Sequence, residues 1–115
     1  MIELKEWWDI EYTIVSEDHL KYDKKLLLTI KNHSPYIREF KIGVEKIDVK
    51  NQINYLRTKM FLDISNPIII SVDKYRKKTI EIPIPRLALP EKDGKIIIYV
   101  ENLHTKEKKN IEIFL

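Results

Sequence analysis

Lys25-Leu26-Leu27-Leu28-Thr29-Ile30-Lys31-Asn32 is echoed, later in the chain, by Lys95-Ile96-Ile97-Ile98-Tyr99-Val100-Glu101-Asn102. Both stretches open on lysine, run through three consecutive aliphatic residues and close on asparagine before a polar loop. Successive side chains of a strand point to opposite faces. A run that is apolar at every position therefore has two apolar faces, as in a strand lying at the centre of its sheet. The chain thus contains two such strands, each expected to be central in a sheet of its own.

The stretches around them alternate. Ile10, Tyr12 and Ile14 interleave with Glu11 and Thr13, which is a period of two, and Ile2 and Leu4 are placed to extend that strand. Phe40, Ile42 and Val44 interleave with Lys41 and Glu45. The apolar parity then moves to Ile47 and Val49, and a strand changes face only through a bulge, placed at Glu45-Lys46. Ile68 to Val72 forms a short apolar run after Pro67. Ile80, Ile82 and Ile84 alternate with Thr79, Glu81 and Pro83; Pro83 and Pro85 put the end of this strand on a sheet edge or outside the ladder. Asp93-Gly94 is a turn dipeptide, and Ile111, Ile113 and Leu115 alternate in the last strand.

Asn51 to Ile64 reads two ways. Leu56, Thr58, Met60, Leu62 and Ile64 fit a strand; Val49, Ile53, Leu56, Met60 and Ile64 fit a helix, with Asp48 as its cap and Ser65-Asn66-Pro67 as its stop. The strand is the favoured reading. Seven to eight short strands at this spacing, in one domain spanning 1–115, define an all-β sandwich. The alternatives are an α+β fold with a helix at about 49–64 and an OB-type barrel.

Composition agrees. Twenty isoleucines against a single alanine, Ala88, favour strands, because β-branched side chains fit a pleated surface and alanine is the residue of packed helices. The 115 residues are 43% hydrophobic and 34% charged, enough apolar material for a core and too much for a disordered chain. No apolar run approaches the roughly 20 residues of a spanning helix, and no membrane partner is expected. Met1–Glu6 lacks the basic start and apolar stretch of a secretion signal, so a cytoplasmic protein is expected. Abundant Lys, Glu and Ile with no Cys and one Gln resembles the composition of proteins of hyperthermophilic archaea or of their viruses.

At the level of pattern the chain resembles an immunoglobulin-like or fibronectin III-like domain of the prokaryotic kind. Leu26 to Ser34, Thr79 to Ile84, and Leu89-Pro90 through Gly94 to Asn102 carry the likeness. The Cys–Trp–Cys signature of antibody domains is absent, and no tyrosine-corner motif is clear. The resemblance implies an immunoglobulin-like β-sandwich serving as a binding or structural module, an inference by analogy of fold.

Chemistry is sparse. Without cysteine there is no disulfide scaffold, thiolate catalysis or cysteine-based zinc site. Two glycines cannot build a phosphate-cradling loop, and none of the four serines sits in a nucleophile elbow. His19, His33 and His104 lack metal-ligand spacing. No catalytic residue, metal or cofactor is therefore assigned, and the protein is not expected to be an enzyme.

What remains is a surface. The sandwich reading gathers His33, Tyr36, Lys74, Tyr75, Arg76 and His104 in loops at one pole, where Lys31, Lys77, Lys106, Lys108 and Lys109 add positive charge. Glu17, Asp18, Asp23, Glu91 and Asp93 fall at the other pole. Of the adjacent Trp7 and Trp8, one should enter the core and the other stay out as a possible interface aromatic. These features point to a non-catalytic protein-interaction or structural module. It would bind an unidentified protein partner through the loops of one pole or a sheet edge, with homo-oligomers open to it. The alternative is a small β-barrel binding single-stranded nucleic acid on a basic, tyrosine-bearing surface.

Overall fold

The structure is a computed structural model that describes residues 7–115. Ile2 and Leu4, expected to extend the first strand, lie outside the described residues. The described residues form seven strands: β1 (Trp8–Ser16), β2 (Tyr22–Asn32), β3 (Arg38–Asp48), β4 (Ile68–Val72), β5 (Lys77–Pro85), β6 (Lys95–Asn102) and β7 (Lys108–Phe114). They make two antiparallel sheets, β1-β2-β5 and β4-β3-β6-β7. No strand is shared between the sheets, so the OB-type barrel is corrected to a two-sheet sandwich.

The two echoed stretches are β2 and β6, each lying between two partners. Their inward residues, Leu26, Leu28 and Ile30 on β2 and Ile96, Ile98 and Val100 on β6, pack with Phe40, Ile42, Ile111 and Ile113 into one core between the sheets. Their outward residues Leu27 and Ile97 are only half-buried. The second apolar face therefore lies on the open side of each sheet and is not a second core. Trp8 is 3% exposed with its ring 5.2 Å from Phe40, whereas Trp7 is 73% exposed, the split that strand alternation requires.

The parity flip in β3 is a bulge. Val44 pairs with Ile98 and Lys46 with Ile97, leaving Glu45 as the extra residue. Pro83 and Pro85 lie in β5, an edge strand of its sheet, the position in a sheet where proline is tolerated.

The favoured strand at 51–64 is corrected. Gln52–Phe61 is an α-helix, α1, followed by a short 3-10 turn at Asp63–Ser65. Asn51, and not Asp48, caps it by accepting a hydrogen bond from the Asn54 N–H at 3.1 Å. β4 pairs only with Arg38 to Ile42 of β3, so the rest of β3 has no strand on that side; α1 and the 3-10 turn pack there, between β3 and β5. The helix is turned against its own pattern. Its buried residues are Asn54 and Thr58, while Ile53, Leu56 and Met60 face solvent. Polar bonds hold it in place. The Asn54 amide exchanges two 3.0 Å bonds with the Leu89 backbone and donates to Glu91 at 2.9 Å.

Candidate functional site

The loops at the end of the sandwich that follows β2 are built on one buried side chain. Asn32 is 1% exposed, and its amide donates to the carbonyls of Tyr36 (2.7 Å), Val72 (3.0 Å) and Asp73 (3.3 Å). Its oxygen accepts from the Ser34 N–H and hydroxyl. The backbone continues the stitching: Asn32 N–H donates to Arg76, and Tyr75 N–H to Ser34. One asparagine thus ties the β2–β3 loop to the β4–β5 turn. Asn102, its echo, does the equivalent for the β6–β7 loop, accepting from the N–H groups of His104 and Thr105. The shared final asparagine of the two stretches is a loop anchor in both cases.

On this base stand two tyrosines. Tyr36 is 60% exposed, with the Arg38 guanidinium 4.9 Å from its ring centre. Tyr75 is 68% exposed and sits at φ 56°, a left-handed conformation that costs a bulky residue roughly 1–2 kcal/mol. Ile37 beside them is exposed as well. Sequence reasoning passed over Ile37, although its place between Tyr36 and a charged strand start marked it as a loop hydrophobe.

The other residues named from sequence divide. Tyr36, Tyr75, Lys74 and Arg76 are brought together by the Asn32 bonds, and Lys74 and Arg76 make no ion pair among the described residues. His33 lies at the same end but is turned to Asp9, with Nε2 3.2 Å from the carboxylate. His104 is in the β6–β7 loop, its N–H held by Asn102. Among the described residues no group of three His, Asp or Glu side chains is arranged to hold a metal ion.

The charge map is thinner than the sequence suggested. Lys31 is 2.5 Å from Glu11, and that hydrogen bond holds the Glu11 carboxyl below the usual carboxylate range. Lys108 reaches Glu45 and Lys109 reaches Glu107, both at 3.6 Å. At the far end Glu17 pairs with Lys25 at 2.5 Å, raising the Lys25 pKa through their hydrogen bond, and Glu91 is spent on the helix. Neighbouring opposite charges offset part of each pole, and Lys74 and Arg76 remain as the basic component on the tyrosine-bearing loops.

A second apolar surface was not foreseen as such. Ile53, Leu56 and Met60 form a solvent-facing stripe on α1, with Arg57 and Lys59 beside it and no carboxylate between residues 49 and 62. An open cleft of about 400 Å³ lies at the end of the sandwich away from the tyrosines, lined by the Arg86–Glu91 loop, Asp23 and Leu115. No helix among the described residues is long and apolar enough to cross a membrane.

No protein-family model matches the chain, and no curated protein is recognisably similar to it. The residues themselves carry the functional argument.

Proposed function

We propose that the protein is an immunoglobulin-like, fibronectin III-like sandwich acting as a non-catalytic interaction module. It binds a protein partner through the pole formed by the β2–β3 loop and the β4–β5 turn. The sheet order β1-β2-β5 against β4-β3-β6-β7, with the echoed strands central, supports the fold reading. The observation that carries the function is the pair Tyr36 and Tyr75, held out to solvent on loops cross-braced by buried Asn32. Tyrosines on a rigid base give large contact area at low entropic cost, the usual economy of a binding surface.

The test is a capture experiment with immobilised wild-type protein and the Tyr36→Ala/Tyr75→Ala variant at matched folding. A discrete protein retained by the first and lost from the second supports the reading. Equal retention on both, or none on either, overturns it. Nucleic acid is the second reading, favoured by Lys74 and Arg76 beside two exposed aromatics. It requires salt-sensitive retention on single-stranded DNA or RNA, and no retention at low salt removes it.

A further inference from the structure

Among the described residues four strands are sheet edges: β1, β5, β4 and β7. Natural edges are protected by charge or proline. β1 carries Asp9 and Glu11, β5 carries Lys77, Lys78, Pro83 and Pro85, and β7 carries Lys108, Lys109 and Glu112. β4, Ile68-Ile69-Ile70-Ser71-Val72, has neither, and it ends the longest stretch of the chain without Lys, Arg, Asp, Glu or His, residues 64–72. Ile69 is 56% exposed on the outer face. Among the described residues the Lys78 ammonium reaches the Ser71 carbonyl at 3.4 Å, and the Asn32 amide holds the Val72 carbonyl at the strand's end at 3.0 Å.

We propose that β4 is a self-association edge. Two copies pair antiparallel about Ile70 and join their four-stranded sheets into one of eight strands. The register follows from symmetry: Ile70 faces its own copy, Ile69 faces Ser71, and Ile68 faces Val72. On the outer face Lys41 pairs with Ile69 and Glu39 with Ser71 within one chain. Across the two-fold axis each row therefore reads Lys41, Ile69, then Ser71 and Glu39 of the second copy, with opposite charges at its ends. Nowhere in the ladder do like charges meet. The α1 stripe is a poorer homotypic surface, since a two-fold pairing there sets Arg57 and Lys59 against their own copies. Five residues of ladder make a small interface, so the dimer is weak, and it must displace or share the Lys78 contact.

This proposal stands apart from the partner-binding pole, and the experiment separates the two. Sedimentation is run from about 10 µM to about 1 mM protein, a range suited to an interface at the small end of the known sizes, on wild type, Ile69→Lys and Tyr36→Ala/Tyr75→Ala. Wild type is expected to shift towards dimer with concentration, and the tyrosine variant to shift equally. Ile69→Lys, a change at an exposed position, is expected to weaken association at least tenfold. Ser71→Pro gives a second disruption of the same edge, with circular dichroism reporting that the fold is kept. A monomer throughout the range overturns the proposal, as does a dimer that survives both β4 changes. Loss of the dimer in the tyrosine variant alone moves the interface to the pole.

Discussion

Tyr99 lies directly across from Gly43 in the β3–β6 ladder, and its ring occupies the space a side chain at position 43 would need. A Cβ built on Gly43 would stand 2.6 Å from the Tyr99 hydroxyl oxygen and 2.7 Å from the ring carbon that bears it. The ring is 8% exposed, with the Lys108 ammonium 4.6 Å from its centre on the outer face of the sheet. Tyrosine thus supplies the cover that glycine lacks. Gly43→Ala lifts the ring and is expected to cost about 1 kcal/mol, at the low end for an overpacked site because the ring can swing outwards. Chemical denaturation of Gly43→Ala, Tyr99→Ala and the double variant checks this. The double variant should be more stable than the sum of the singles predicts; strict additivity would mean that the two residues are not coupled.

Glu91 closes the start of α1. Its carboxylate accepts from the Asn54 amide and from the Lys50 and Asn51 N–H groups, and these bonds, Asn54 first, hold its pKa below the ordinary glutamate value. A depressed pKa stabilises the fold above the unfolded-state value, about 4.3 for glutamate, and the contribution is lost as pH falls through the lower folded value. Helix content and urea midpoint should therefore drop below about pH 4 in wild type. In Glu91→Gln the midpoint should start lower at neutral pH, and its acid-side decline should be shallower. Parallel pH curves for the two proteins would show that Glu91 has no part in it.

Asn32 is predicted to be the most sensitive polar residue. Asn32→Ala strips hydrogen-bond partners from carbonyls of the β2–β3 loop and the β4–β5 turn at once, and each unsatisfied buried group costs about 1–3 kcal/mol. A total loss of roughly 2–4 kcal/mol is expected on that basis. Faster amide exchange should be confined to residues 33–37 and 73–76. Uniform loosening of the whole sandwich would argue against a local anchor.

Thr58 gives a prediction of opposite sign. Its hydroxyl is buried on the inner side of α1 and has no hydrogen-bond partner among the described residues. Thr58→Val keeps the shape and removes a desolvated polar group, so a gain of about 1 kcal/mol is expected in thermal or urea unfolding. A loss of stability would reveal a water or side-chain partner for the hydroxyl.

Much of the sandwich was legible because its signals are local. Leu26 to Asn32 and Ile96 to Asn102 declare central strands by composition, and the shift from Val44 to Ile47 declares a bulge, because a period of two admits no other change of face. Pro83 and Pro85 mark an edge for the same kind of reason. The site was legible only as a set of loops. Tyr36 and Tyr75 stand out as aromatics among polar residues, but nothing in their spacing shows that Asn32 joins their segments, since that contact spans 40 residues.

The helix marks where local reading stopped. Leu56, Thr58 and Met60 alternate as a strand would, and the helical reading put Ile53, Leu56 and Met60 inward. In the fold Asn54 and Thr58 face inward instead, because the space beside the lower half of β3 is entered by the Leu89 backbone and Glu91, which need hydrogen-bond partners rather than methyl groups. The sequence by itself determined the strands, their faces and the bulge, because backbone geometry ties each to neighbours one or two residues away. Tertiary structure alone decided which way α1 turns, which charges cancel and which edge is left bare. Each of those depends on the groups that distant segments bring alongside.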